Sequence, residues 1–202
     1  FDEWWSVIRD HGHPNEDGFF VHPVSDPAVI AGNGTVGLEI LEQLPDVDAV
    51  VVPYGGGGLS CGIASAIKAS KPNTRVFAAE VETAAPFNAS LAAGEAVHID
   101  RTQTFIDGIG GKGVLPEMWP LASSLLDGSI VVSVEQICHA IRTLISSAHV
   151  VAEGAGGASV AAALTGNAGA GKVVAVVSGG NLDMSVLRTI LEGEIPRPGG
   201  GH

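Results

Sequence analysis

The 202-residue sequence is poor in cysteine, in positive charge and in long apolar runs. Its two cysteines, Cys61 and Cys138, are too few for a disulfide framework and fit no zinc motif, so we expect a reducing, cytoplasmic setting. Lysine and arginine total 10 against 22 acidic residues, a formal net charge of −12 that argues against nucleic acid and anionic membrane surfaces as partners. No uninterrupted apolar run is long enough to span a membrane.

Short β-branched runs alternate along the chain with longer stretches of helical spacing. We predict strands over residues 19–22, 49–52, 75–79, 130–134 and 173–177. Asp26 and Pro27 predict the start of one helix, and the capping box of Ser133 and Gln136 predicts the start of another. Three further helices are predicted over 59–70, 158–164 and 182–191. This alternation predicts an α/β fold with an open, mostly parallel sheet and helices on both faces.

Four consecutive glycines, Gly55 to Gly58, follow a predicted strand and come directly before a predicted helix. Glycines permit positive φ and let a ligand approach the backbone closely, and the helix start adds a partial positive charge. A phosphate group therefore fits this turn without a lysine or arginine. Leu59 and Ser60 stand where a nucleotide P-loop has lysine and serine or threonine, which argues against ATP and GTP. The alternative is a turn that serves only tight packing.

Two other stretches, residues 32–37 and 108–113, match the G-x-G-x-x-G pattern of dinucleotide sites. The first lies inside a predicted helix, and the second lies in a long irregular segment and opens no clear helix. Both lack the strand, turn and helix that such a site requires. A nicotinamide-dependent oxidoreductase that uses Gly32 or Gly108 is nevertheless a rival from another functional class.

A second signal lies at residues 173–183, where a predicted strand leads into Ser178, two glycines and Asn181. Ser178 stands where side chains reach a ligand lying along the carboxyl edge of a parallel sheet. Its hydroxyl can bond a ring nitrogen without adding charge. The alternative is a serine that caps the following helix.

One cluster of metal-ligand residue types lies near the start of the chain, at His11, His13 and Glu16. No second group of ligands follows at a useful spacing. We therefore expect no metal centre there.

Five stretches that include these signals occur in a fixed order along the chain. They are FVHPVSDPAVIAGNGTVGLEILEQLPDVDAVVVPYGGGGLSCGIA (20–64), RVFAAEVE (75–82), FIDGIGG (105–111), VVAEGAGGASVAAAL (150–164) and VVSGGN (176–181). Together they resemble the fold-type II pyridoxal-phosphate enzymes, in particular the threonine and serine dehydratases and serine racemase. The resemblance covers about residues 20–191 and is more specific than any single glycine match.

The resemblance implies pyridoxal 5′-phosphate as the cofactor. The cofactor-binding residues that it implies are Gly55, Gly56, Gly57, Gly58, Leu59, Asp107, Gly108, Glu153, Ser178 and Gly179. In this assignment the tetraglycine loop and the Leu59 amide hold the phosphate, and Ser178 faces the pyridine nitrogen. Asp107 lines the side of the ring, and Glu153 lies near it.

In some members of the family a divalent cation, Mg²⁺ or Ca²⁺, lies near the positions of Glu80 and Ala84. The third, acidic position of that site falls on Pro86 in this sequence. Such cations need several oxygen ligands, so the loss of one carboxylate weakens the prediction. The alternative for Glu80 is a polar strand end.

The activity that the resemblance implies is that of a threonine/serine dehydratase. Such a lyase converts a small hydroxy amino acid to a 2-oxo acid and ammonia by β-elimination. Serine racemase, threonine synthase and β-replacement synthases are alternatives that use the same cofactor. A non-catalytic fragment that binds pyridoxal phosphate or another phosphate compound is a further alternative.

The Schiff-base lysine of the family lies in the amino-terminal half, which this sequence does not match. The lysines here stand in other contexts: Lys68, Lys71, Lys112 and Lys172. We therefore interpret residues 1–202 as the carboxyl-terminal part of a cofactor-binding domain, inactive alone and with a flexible tail over 195–202. Such a chain should expose apolar surface, and form a homo-oligomer or bind a complementing amino-terminal segment.

Overall fold

The computed structural model describes residues 2–13, 15 and 18–198, with side chains described from residue 6 onward. Within this part of the chain the helices and strands are α1 Asp2–Arg9, α2 Pro27–Gln43, β1 Ala49–Pro53, α3 Gly58–Ser70, β2 Arg75–Val81, α4 Pro86–Ala93, α5 Trp119–Leu125, β3 Ser129–Val132, α6 Val134–Thr143, α7 Gly154–Leu164, β4 Val173–Ala175 and α8 Met184–Leu191. A π-helical turn, Leu144–Ala148, extends α6. In the described residues, no helix combines the length and the apolar character needed to cross a membrane.

The four strands form one parallel sheet in the order β3-β2-β1-β4. Strand β1 lies between two neighbours, because Ala49 pairs with Arg75 of β2 on one side and with Val173 of β4 on the other. The predicted open α/β fold is confirmed. Parallel strands end at the same edge, so the loops that follow β1 and β4 lie side by side.

Each face of the sheet carries its own apolar core. Val51 of β1 faces one core, whereas Val50 and Val52 face the other, as the alternation of side chains along a strand requires. Burial on both faces explains why β1 consists of continuous apolar residues. Buried residues of the first core include Ile137, Ile141, Ala158 and Leu187, and those of the second include Ile63, Ile67, Phe87 and Met118.

Two predicted helix starts are confirmed. The Asp26 carboxylate accepts a hydrogen bond from Ala28 N at 2.7 Å, and Pro27 is the first residue of α2. Ahead of α6, Gln136 N donates to Ser133 Oγ at 3.1 Å and Ser133 N donates to Gln136 Oε1 at 2.8 Å. Both caps satisfy helix-terminal amides within a few residues, which is why the sequence alone predicts them.

The strand predicted over residues 19–22 is wrong. This segment lies outside the sheet, and Phe19 is 89% exposed. The buried His22 ring fixes the segment instead, since it contacts the Ile8 carbonyl at 2.9 Å and accepts from Ser25 N at 2.8 Å. A β-branched run becomes a strand only when a neighbouring strand pairs with it.

Strand β4 is shorter than predicted, because it ends at Ala175 and not at residue 177. The pairing nevertheless continues for one more hydrogen bond, from Val176 N to Val51 O at 3.0 Å. The tail predicted over 195–202 is described only as far as residue 198, and the remainder lies outside the described residues.

Helices α2 and α3 approach each other closely at glycines. A Cβ on Gly37 of α2 would lie 2.8 Å from Ile63 O, and a Cβ on Gly62 of α3 would overlap Ile30 O. Gly34 is also buried in this contact. The G-x-G-x-x-G match at residues 32–37 is therefore part of a helix–helix contact.

Two glycine-to-alanine variants test this contact. Gly62→Ala should lower the free energy of unfolding by about 1–3 kcal/mol, because the added methyl group must displace the backbone of α2. Gly32→Ala is the matched control: a Cβ there meets no atom within 4 Å, so removing a helical glycine should raise stability by about 0.5–1 kcal/mol. Urea unfolding measures both changes. Equal effects of the two variants would contradict the close helix contact.

Candidate functional site

The loop between β1 and α3 leaves a row of backbone amides without partners. Tyr54 N, before the glycines, donates to Ala79 O at 3.0 Å, and Cys61 N, after them, donates to Gly57 O at 2.8 Å. Between these two bonds, the N–H groups of residues 55–60 donate to no acceptor among the described residues. Unpaired amides at the start of a helix form an anion-binding site, which the helix dipole strengthens.

The glycines of this loop are required by space and by conformation. A Cβ on Gly56 would lie 2.6 Å from Val24 Cγ2, and a Cβ on Gly58 would lie 2.7 Å from Val24 O. Gly57 has a φ of +98°, in the left-handed region that favours glycine. Tight packing thus explains why Gly56 and Gly58 are glycines. It leaves the amides without protein partners, and such amides are open to water or to an anionic ligand.

Three predicted site segments lie next to one another, and two of them approach the Glu153 carboxylate. A Cβ on Gly55 would lie 3.2 Å from Gly108 O, and a Cβ on Gly108 would lie 2.9 Å from Glu153 Oε1. A Cβ on Gly179 would overlap the same Glu153 oxygen. Asp107 lies exposed beside Gly108. The predicted residues, which are distant in the sequence, are therefore neighbours at the carboxyl edge of the sheet.

Glu153 links the loop after β4 to the start of helix α7 through hydrogen bonds. Its backbone N donates to Gly179 O at 3.0 Å, and its Oε2 accepts from Asn181 N at 3.0 Å. Glu153 is also the residue before the first turn of α7, where a carboxylate is stabilised by the helix dipole. Half-buried Glu153 thus shapes the Ser178 loop. We call the region between this loop and the glycine loop, residues 55–58, the cleft.

Ser178 is exposed, and its hydroxyl has no hydrogen-bond partner among the described residues. It does not cap a helix, because α8 begins at Met184 and its capping position is Asp183. The alternative role of a capping serine is therefore wrong. The side chain is available to a ligand that lies along the edge of the sheet.

Three of the lysines lie near the amino-terminal edge of the sheet, opposite the edge that carries the glycine loop. Lys68 forms an ion pair with Asp127 at 2.7 Å, and Lys71 follows the last turn of α3. Because α3 has 13 residues, its end lies about 20 Å from the loop, and Lys68 is in its last turn. Lys172 precedes β4 and pairs with Asp46. The fourth, Lys112, is half-buried in the segment that follows Gly108.

Glu80 is fully buried and caps helix α4. Its Oε1 accepts from Phe87 N at 2.8 Å, and its Oε2 accepts from Asn88 N at 2.7 Å and from Ser129 Oγ at 2.6 Å. Burial raises the pKa of Glu80, and these three hydrogen bonds oppose that shift. The cation expected at Glu80 and Ala84 gains no support from these contacts, which make Glu80 a structural cap.

Among the described residues, one group of three side chains places metal-ligand atoms within 4.8 Å of one another, namely His11, His22 and Glu117. Both nitrogens of the His22 ring are already engaged, one by backbone amides and one by a carbonyl. Only His11 and Glu117 remain, which is too few for a stable site. His13 does not join this group, and Glu16 lies outside the described residues.

One further residue touches the loop and is absent from the sequence-based site. Tyr54, the residue before the glycines, lies beneath Gly57 and is fully buried. It is the only tyrosine of the chain, and its place at the end of a buried strand is the signal that sequence reasoning can use.

The fold is that of an α/β protein, and its candidate site, a row of unpaired amides, lies at the carboxyl edge of the parallel sheet. The family of pyridoxal-phosphate dependent enzymes matches residues 6–179, and the chain belongs to this family. The predicted family membership is therefore confirmed.

The relatives include lyases and racemases. The chain is 44% identical over 181 residues to the L-threonine ammonia-lyase of Thermotoga maritima, which covers 89% of this chain and 45% of the relative. It is 38% identical to the serine racemase of Mus musculus over 188 residues, 90% of this chain and 55% of the relative. Maize serine racemase superimposes with a TM-score of 0.77 and 35% identity over 85% of this chain and 54% of that structure. The chain thus spans about half the length of these relatives.

The buried Glu80 gives a pH-dependent prediction. Because its pKa is raised from 4.5 by folding, the folded state binds more protons than the unfolded chain above that pH. The stability of the wild type relative to Glu80→Gln should therefore fall as the pH rises above about 4.5. Urea unfolding of both proteins across this range measures the difference. Glu95→Gln, which removes an exposed carboxylate, is the control, and a rising difference would contradict the prediction.

Proposed function

We propose that the backbone amides of residues 55–60 bind the phosphate of pyridoxal 5′-phosphate in a threonine/serine ammonia-lyase. The row of unpaired amides beside Ser178 and Glu153 carries the proposal, because it offers donors to an anion and a hydroxyl to a ring. The identity of 44% and 41% to two L-threonine ammonia-lyases supports this choice of reaction. Serine racemase activity is the alternative, since racemases are also among the relatives.

Each part of the cleft then has a distinct task. Residues 55–60 hold the phosphate, Ser178 donates a hydrogen bond to or accepts one from the pyridine nitrogen, and Gly108 with Asp107 lines the ring. Glu153 orients the Ser178 loop through Asn181 N. When bound, pyridoxal phosphate supplies an electron sink for the bond electrons at the α-carbon of an amino acid. A neutral hydroxyl at the ring nitrogen makes that sink weaker than a carboxylate would, which favours β-elimination.

The overall reaction removes the α-proton and the β-hydroxyl of a hydroxy amino acid, and water then releases a 2-oxo acid and ammonia. We propose that the amine that binds the cofactor and accepts the α-proton comes from outside residues 1–202. Lys68 and Lys172 are paired with acids away from the glycine loop, and none of the four lysines stands in the sequence context of the family's Schiff-base lysine. We therefore propose that the chain binds its cofactor but does not turn over by itself.

We also propose that another segment or another copy of the chain covers the margin of the cleft. Within the described residues, strand β4 pairs on one side only, with β1. Next to it, Val150, Val151 and Val177 are 42%, 49% and 36% exposed. A Cβ on Gly180 would lie 2.9 Å from Val151 O, so this apolar margin adjoins the Ser178 loop. Apolar surface of this kind favours association with an amino-terminal segment or a homo-oligomer.

A cytoplasmic location fits the same picture. Cys61 and Cys138 are both free and buried. Burial raises the pKa of Cys61 to about 12 and that of Cys138 to about 11, so both thiols stay protonated and unreactive. A reducing compartment is therefore compatible with both side chains, which supports the proposed location.

Removal of one amide tests the phosphate site. Leu59 is the second residue of α3, where proline is tolerated, so Leu59→Pro deletes one unpaired N–H with little effect on the helix. Leu59→Ala is the control, because it removes the side chain and keeps the amide. Leu59→Pro should weaken pyridoxal 5′-phosphate binding by about tenfold, the value of one hydrogen bond to a charged group. Equilibrium dialysis measures the affinity.

Pyridoxal, which lacks the phosphate, is the matched ligand for this experiment. It should bind the wild type at least about tenfold more weakly than pyridoxal 5′-phosphate, and Leu59→Pro should not change its affinity further. Equal binding of the two ligands to the wild type would overturn the assignment of residues 55–60 to the phosphate.

The activity itself is tested on the enzyme that includes the amino-terminal segment. With L-threonine or L-serine it should form a 2-oxo acid, and Ser178→Ala should lower kcat by about tenfold or more through the lost contact to the ring. Glu95→Gln changes an exposed residue that is not part of the proposed site, so it should leave kcat unchanged. Formation of D-serine without a 2-oxo acid would favour the racemase alternative.

A further inference from the structure

Tyr54 carries the one buried side-chain polar atom that lacks a hydrogen-bond partner in the described part of the chain. The residue is fully buried, and burial raises the pKa of its hydroxyl, which therefore stays neutral. A buried hydroxyl without a partner costs free energy, whereas phenylalanine would fill nearly the same space without that cost. The retained hydroxyl calls for a physical reason.

The hydroxyl lies directly beneath the glycine loop. The atoms nearest to the position of a Cβ on Gly57 are Tyr54 Oη at 3.1 Å and Tyr54 Cε2 at 3.2 Å. Gly57 is also the residue of the loop whose φ, +98°, departs from the region that other residues prefer. The end of the Tyr54 side chain thus fills the space under the one backbone position that gives the loop its shape.

The ring of Tyr54 packs against a second aromatic residue, namely Phe87. It stacks on Phe87 with centroids 4.7 Å apart and an interplanar angle of 22°, and Phe87 meets the edge of Trp119 at 6.2 Å. Phe87 N is fixed by the buried Glu80 carboxylate at 2.8 Å. A continuous series of contacts therefore runs from Glu80 through Phe87 and Tyr54 to Gly57.

We propose that Tyr54 is a positioning residue that supports Gly57 from beneath and keeps the amides of residues 55–60 directed at one point. The hydroxyl extends the side chain as far as Gly57. The free energy lost by burying it without a partner is therefore offset by a more rigid loop. A loop held in advance binds an anion more tightly, because less conformational freedom is lost on binding. This proposal rests on the proposed phosphate site and adds the residue that sets its affinity.

The test compares Tyr54→Phe with the wild type in two properties that a purely structural role would not separate. Removal of the orphan hydroxyl should leave the midpoint of urea unfolding unchanged or raise it. The affinity for pyridoxal 5′-phosphate should fall by about threefold to tenfold, because the support under Gly57 is shortened. The affinity for pyridoxal should stay the same. Tyr54→Leu should weaken phosphate-dependent binding further.

Ile141→Val is the matched control. Ile141 is fully buried in the core on the opposite face of the sheet, so its truncation lowers stability without touching the loop. It should leave both affinities unchanged. If Tyr54→Phe binds pyridoxal 5′-phosphate like the wild type, or loses affinity for pyridoxal to the same extent, the positioning role is overturned.

A measurement without ligand separates this proposal from the proposed function. The NMR order parameter of the Gly57 amide should fall in Tyr54→Phe and stay at the wild-type value in Ile141→Val. The order parameter of Gly57 can fall while the wild type shows no preference for pyridoxal 5′-phosphate over pyridoxal. In that case the positioning role of Tyr54 is supported, and the assignment of residues 55–60 to the phosphate is overturned. An unchanged order parameter overturns the support itself.

Discussion

The parallel pairing of β1 with both of its neighbours is the constraint on which the site depends. Ala49 is aligned with Arg75 of β2 and with Val173 of β4, and this register ends the strands at one edge. A change of register by one residue would turn the apolar side chains of β1 to the wrong cores. The same shift would move the glycine loop away from the Ser178 loop. The arrangement of the candidate site is thus set by hydrogen bonds in the middle of the sheet.

Much of the fold can be predicted from the sequence because its signals are local. The apolar run at β1, the Asp26 cap and the Ser133 capping box each act within a few residues, and all three are confirmed. The run at residues 19–22 has the same local character, but none of the strands that the structure describes lies beside it. Helix α4 is not predicted, because its start has no local signal. It is stabilised by Glu80, a residue of β2.

The site shows the same division between local and long-range causes. Glycine composition predicts the anion loop, because conformational freedom and bare amides belong to the residues themselves. Which loops meet cannot be predicted in that way, and the contacts of Glu153 with Gly108 and Gly179 depend on the sheet order. Tyr54 is not found from the sequence because its place at the end of a buried strand, the one signal it offers, is shared with ordinary core residues. Only the position of its hydroxyl under Gly57 separates it from the rest of that core.

The acidity of the chain also bears on how it can hold a phosphate. With a formal net charge of −12, the protein as a whole repels an anionic ligand. The loop at residues 55–60 contains no basic side chain, and Lys68 and Lys172 are paired with acids at the far side of the sheet. In the proposed site the attraction comes from amides at short range, where hydrogen bonds and the helix dipole outweigh the screened long-range field. Such attraction depends on the direction of each amide, and for that reason the rigidity of the loop matters more than the charge around it.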